Sequence, residues 1–138
     1  MNKQRGVTLI ELLTVIVVLG LLTAIAVPSY SSYMRKTKRA DAKVALTSTA
    51  QQLERCYTRY YSYLLSSGGG GGQCPVVLPY TLASGTYTID ADTAGVTANA
   101  FAIKATPIGN QAADTHCGTF QLNQNNLQTV STGATDCW

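Results

Sequence analysis

Arg5-Gly-Val-Thr-Leu-Ile-Glu-Leu-Leu-Thr-Val-Ile-Val-Val-Leu-Gly-Leu-Leu-Thr-Ala-Ile-Ala-Val-Pro28 is the stretch that decides how this chain folds. A short basic lead holding Lys3 and Arg5 ends at Gly6, and Val7 to Val27 then reads as an apolar helix. At about 1.5 Å of rise per residue it reaches roughly 30 Å, the thickness of a hydrocarbon core. A single charge, Glu11, stands in this run. An ionisable side chain inside a membrane span costs at least about 2.5 kcal/mol and usually marks a functional position. A secretory signal would need a small-x-small cleavage site, which Thr23, Ala24 and Ala26 could mimic, and a plain signal-anchor fits the hydropathy. Neither accounts for a glutamate five residues past a basic-glycine junction.

Gly6-Val7-Thr8-Leu9-Ile10-Glu11-Leu12 resembles the class III signal of type IV pilins and pseudopilins. The resemblance implies cleavage by a prepilin peptidase after Gly6 and methylation of the new amino terminus at Val7. Glu11 falls on the glutamate at the fifth position of the mature chain in that family. Gly20 and Pro28 match places where the family tolerates a melted or kinked helix. Val7 departs from the phenylalanine that the family most often carries, while the glycine and the apolar run are retained.

With 138 residues, the chain suits one domain plus an anchor, leaving about 110 residues for a head with a modest core. Charged residues are sparse at 12%, and small polar ones are plentiful, which fits a secreted β-containing domain better than a cytosolic enzyme. Loss of Lys3 and Arg5 with the leader leaves 8 basic against 7 acidic residues, no argument for a polyanionic partner. Cys56, Cys74, Cys117 and Cys137 form an even set downstream of an export signal, as disulfides in an oxidising compartment require. Sequence does not choose among three pairings; the neighbours Cys56–Cys74 and Cys117–Cys137 are preferred because each closes a short irregular stretch. Zinc, with His116 beside Cys117, is the competing reading, disfavoured because no C-x₂-C pair exists.

Pro28 is expected to kink the helix without ending it. Tyr30 and Tyr33 follow at the level of an aromatic belt, then Arg35, Lys36, Lys38, Arg39 and Lys43, a solvated face suited to lipid headgroups. From Ala40 to Tyr60 apolar positions recur at three- and four-residue steps through Ala42, Leu46, Leu53 and Cys56, so a helix of roughly 50 residues lies on a sheet with its second half. Gly68 to Gly72 give a loop without preferred conformation, and no phosphate-binding motif follows them. Four strands are expected, over 85–92, 100–106, 118–123 and 127–131, the Asn125-Asn126 pair turning between the last two. His116 is the only histidine, Asp90, Asp92 and Asp114 are scattered, and no acidic cluster suits calcium, so an enzyme is the least favoured class.

Arg39-Ala40-Asp41-Ala42, Leu53-Glu54-Arg55, Ala105-Thr106-Pro107, Cys117-Gly118-Thr119 and Cys137-Trp138 resemble the PilE-type minor pilins, extending the likeness over nearly the whole chain. The expected fold is α+β: a leader (1–6), a membrane and filament-core helix (7–28), its amphipathic continuation (29–60), and a loop with a four-stranded antiparallel head (61–138). The resemblance implies a structural subunit of a type IV pilus, a minor pilin that primes assembly and links tip subunits to the major pilin, supporting twitching motility, adhesion or DNA uptake. Implied partners are other pilin subunits, the peptidase, the inner-membrane assembly platform and the membrane itself before assembly. It would sit in the inner membrane and then in the extracellular pilus, with no cofactor or metal. The alternatives are a tip adhesin or DNA receptor, for which Arg55, Arg59 and Lys104 are the only basic residues beyond Lys43, and a type II secretion pseudopilin. The processing reading is checked by the intact mass of filament protein: it should begin at Val7 with one methyl group, and a chain beginning at Met1 or beyond Ala26 would overturn it.

Overall fold

The computed structural model describes residues 7–66 and 73–138, so Gly6 and the Gly68–Gly72 run lie outside the described residues. One helix, α1, runs from Leu9 to Tyr60 through Pro28 without a break. Five strands follow: β1 (Tyr80–Thr81), β2 (Tyr87–Val96), β3 (Phe101–Pro107), β4 (Phe120–Asn123) and β5 (Gln128–Val130). The chain divides into two compact units at Lys36 and Thr37.

The first unit is helix alone. Thr8 caps it: its hydroxyl accepts the Glu11 N–H at 3.3 Å, the Ncap-to-N3 contact of a Thr-x-x-Glu start. Thr14 and Thr23 return their hydroxyls to the carbonyls of Glu11 and of Leu19 and Gly20, so neither carries an unsatisfied group into an apolar stretch. Every large apolar side chain from Leu9 to Val27 is exposed.

In the second unit, β1 to β5 form one antiparallel sheet in sequence order. Ala42, Leu46, Thr49, Leu53 and Cys56 are the buried residues of α1, spaced three and four apart on one stripe. They share a core with Tyr87 and Ile89, Phe101, Ile103 and Ala105, and Phe120 and Leu122, which alternate along β2, β3 and β4. The sheet has five strands where the sequence suggests four. The extra one, β1, is only two residues long, held by Tyr80 opposite Ile89 and Thr81 opposite Thr88, too short to show any alternation. β2 also runs on to Val96, past the expected end at Asp92, through a register shift between Ala91 and Val96.

Cys56 is bonded to Cys74 and Cys117 to Cys137, with Cα atoms 5.3 and 5.7 Å apart. In the chain-entropy model each closure contributes about 3 kcal/mol. Beside the second disulfide, Gly118 adopts φ +63° and a Cβ there would run into the Ser131 hydroxyl, which accepts the Thr119 N–H at 3.0 Å. Gly118→Ala is therefore expected to lose about 1–3 kcal/mol, read as a lowered denaturation midpoint of the full chain. A midpoint equal to wild type would show that this turn relaxes freely.

Candidate functional site

Two surfaces carry the chemistry that the sequence singles out. The first is the membrane-length end of α1. Leu9 is 81% exposed and Ile25 74%, and Glu11 is an exposed carboxylate among such residues, its Oε2 receiving the Thr8 hydroxyl at 3.5 Å. A helix apolar on all sides needs cover on all sides.

The second surface is the head. Its start on α1 is tied to the 3-10 turn Gly109–Ala113 and the residue after it. Arg39 donates from Nε and from one terminal nitrogen to the two oxygens of Asp114, each at 2.6 Å, a bidentate pair. Gln111, also buried, donates to Asp114 at 3.1 Å and to the Tyr87 hydroxyl at 3.2 Å. The guanidinium holds the Asp114 carboxyl below the usual carboxylate range, and burial pushes Tyr87 up. Asp114 is thus a structural group. Asp92 faces Lys104 at 3.8 Å and accepts from Gln121, while Asp90 accepts its neighbour's Ala91 N–H; the two carboxylates do not combine into a site. His116 meets Asp136 at 2.9 Å, and the two sulfurs beside it, Cys117 and Cys137, are bonded to each other.

A further group of side chains lies at the end of α1. Arg55, Tyr57, Arg59, Tyr60, Tyr61 and Tyr63 interleave cations and rings over nine residues, a pattern legible in the sequence but masked by counting basic residues alone. Arg39 and Lys104 each face a carboxylate, and Lys43 lies 5.8 Å over the Phe120 ring. Arg55 and Arg59 are exposed and pair with no carboxylate among the described residues. The Arg59 guanidinium lies 5.3 Å over the Tyr60 ring. Glu54 is engaged instead by Tyr63, whose hydroxyl donates at 3.1 Å; burial, helped by this carboxylate, pushes the Tyr63 phenol up to about 12. Tyr61 ends the helix with φ +53° and is 81% exposed. Glycine is the usual residue in that left-handed position, and a bulky side chain there costs of order 1–3 kcal/mol.

Residues 28–121 match the profile of the family described as type IV minor pilin ComP, DNA uptake sequence receptor, and residues 1–27 match the prokaryotic N-terminal methylation motif. The chain is 36% identical over 72 residues to the prepilin peptidase-dependent protein D of Escherichia coli K12, covering 52% of this chain and 49% of that one. It is 48% identical over 52 residues to the type IV major alpha-pilin of Moraxella bovis, covering 36% and 33%. The matches thus span about half or less of these curated relatives. The crystal structure of the Neisseria meningitidis non-core minor pilin PilV shares the fold, with TM-score 0.51 and 17% identity over 75% of this chain and 92% of that one.

The Arg39–Asp114 pair has a pH signature. Because the folded carboxyl titrates below its unfolded value of about 3.9, the stabilisation is complete above that pH and lost as pH falls through the folded value. Denaturation midpoints of the full chain should fall in acid for this reason. Arg39→Ala should cost about 3 kcal/mol at neutral pH, by leaving Asp114 buried without its partner, and should flatten the acid limb. An unchanged midpoint at neutral pH would show the pair to be dispensable.

Proposed function

This chain belongs to the type IV minor pilin ComP family, and we propose from that premise that it is a membrane-anchored subunit built into a type IV pilus. The observation that carries the proposal is the exposed apolar surface of α1 from Leu9 to Val27. Each large side chain left in water forgoes about 1.5–3 kcal/mol of burial, so this surface exchanges lipid for the helices of neighbouring subunits. The leader 1–6 is removed between Gly6 and Val7 by the prepilin peptidase. Residues 7–28 then form the filament-core segment, with Pro28 at its end, and 29–60 carry the head at 61–138.

Glu11 is the residue that sets register. Its carboxylate pairs with the Val7 amine of a neighbouring subunit, because a misaligned neighbour leaves a charge unpaired in an apolar core. A subunit that keeps this glutamate accepts another above it, consistent with a minor pilin that links tip subunits to the major one and helps prime assembly. Its work is structural rather than catalytic. A second reading, that the head also binds DNA, is supported by the family's description and by the uncompensated arginines at the end of α1.

Glu11→Ala is expected to insert into the membrane yet be depleted in sheared filaments, with Glu11→Asp intermediate. Immunoblots of membrane and filament fractions from cells that also make wild-type major pilin read this out. Normal incorporation of the alanine variant would assign assembly to packing of Leu9 to Val27 instead.

A further inference from the structure

We propose that Cys117 and Cys137, while still thiolates, form a zinc site with His116 and Asp136, and that the ion holds the two sulfurs together until their disulfide closes. The proposal is independent of what the head binds and concerns how its last disulfide is made.

The donor set is written in the chain itself. Each of the two cysteines follows a residue that can ligate a metal, as His116-Cys117 and Asp136-Cys137. The disulfide accounts for the sulfurs and leaves these neighbours unexplained. His116 and Asp136 are both exposed, and an exposed ion pair adds little to stability. The fold nevertheless collects all four groups. An imidazole nitrogen of His116 and the two sulfurs lie within 4.8 Å of one another. Asp136 Oδ1 lies 3.0 Å from His116 Nε2 and 3.9 Å from Cys137 Sγ. Ligands around tetrahedral zinc stand about 3.3–3.8 Å apart, given bonds of about 2.0 Å to nitrogen or oxygen and about 2.3 Å to sulfur. The main adjustment is at the sulfurs, which part to about 3.8 Å when no bond joins them. The sulfurs are buried, so the exposed imidazole and carboxylate form the side of the set that solvent reaches. The backbone there is held as well, because the Thr132 hydroxyl donates to the His116 carbonyl at 2.7 Å. No C-x₂-C motif marks the set, since its sulfurs lie 20 residues apart and are joined by the fold.

Thiols are the form in which the chain is made. Zn²⁺ and two thiols give the bound dithiolate and two protons. Two thiolates with an imidazole suit zinc better than calcium or magnesium, which take oxygen. Four cysteines allow three pairings, and an ion that holds Cys117 with Cys137 leaves Cys56 only Cys74. Closure then takes an oxidant of the disulfide class. One protein thiolate attacks the oxidant's S–S bond, forming a mixed disulfide and expelling one oxidant sulfur as thiolate. The second protein thiolate attacks that mixed disulfide and expels the other. The oxidant takes up the two electrons, and Zn²⁺ leaves with its sulfur ligands gone.

The test is zinc binding by the full chain in zwitterionic detergent micelles, with a phosphine, which carries no thiol, as reductant. Competition with a chromogenic zinc indicator gives the affinity, and cobalt substituted for zinc gives the geometry by its visible absorption. We expect the reduced chain to take one zinc, with a tetrahedral cobalt spectrum and thiolate charge-transfer bands, and the oxidised chain to take none. His116→Ala and Asp136→Ala, at exposed positions, should each weaken binding about ten-fold or more, since a ligand matters no less than the groups that support one. Cys117→Ser with Cys137→Ser should abolish the cobalt spectrum. Reoxidation by glutathione disulfide with zinc present should raise the share of native pairing in peptide maps over that with a chelator. A reduced wild-type chain that takes no stoichiometric zinc overturns the site, as does binding indifferent to both His116→Ala and Asp136→Ala. Binding kept by the double cysteine variant would move the metal to Cys56 and Cys74, and equal binding by the oxidised chain would show that thiolates are not its ligands; either overturns the site. Pairing unchanged by zinc overturns the role in closure.

Discussion

A single helix that must satisfy two environments is the constraint on which everything else in this chain depends. From Leu9 to Val27 α1 has no polar face, and from Ala42 to Cys56 it has one buried stripe. Backbone hydrogen bonds are closed within the helix, so it is one of the few structures that can be continued from lipid into a soluble domain without orphaned groups. The polar residues of the apolar part respect the same rule: Thr14 and Thr23 bond back to carbonyls one turn earlier. Glu11 is not satisfied that way, since the Thr8 hydroxyl that reaches its carboxylate does so only at 3.5 Å.

The head solves a different problem, that of holding a small sheet on one helical stripe. A domain of about 100 residues buries a smaller share of its surface than a large one does. Here the core is supplemented by polar ties reaching from α1: Arg39 to Asp114, and the Thr49 hydroxyl to that of Tyr80 at 2.8 Å. Two disulfides fasten the segments on either side of the sheet. No buried side-chain nitrogen or oxygen among the described residues lacks a partner, which is what makes such ties stabilising rather than costly.

The helix and the strands were legible because their periodicities differ and each is long enough to count. Ala42, Leu46, Leu53 and Cys56 announce one buried stripe, and Phe101, Ile103 and Ala105 announce a half-buried strand. β1 was not legible, because Tyr80–Thr81 is recruited by β2 and has no pattern of its own. The Asp114 tie was equally hidden: nothing local marks an aspartate whose partner is 75 positions away. The Thr8–Glu11 cap was available from its Thr-x-x-Glu spacing but was obscured by the stronger signal in the same residues. At the end of α1 the failure was of another kind. Counting cations treats Arg39, Lys104, Arg55 and Arg59 alike, whereas the fold neutralises the first two and leaves the last two unpaired among the described residues.

How copies of such a chain meet is also constrained by the sheet. An exposed strand edge is a template for another chain, and proteins restrain it by keeping edge strands short. Both edges here are short: β1 has two residues and follows Pro79, which has no N–H to offer, and β5 has three. At β5, Trp138 adds its indole N–H to the Thr129 carbonyl at 2.8 Å and sets its ring edge-on to Phe120, pinning the last residue beside that strand. The central strands, with their long ladders, are paired on both sides. Little backbone is therefore left for a neighbouring sheet to extend, while the apolar helix surface from Leu9 to Val27 stands uncovered.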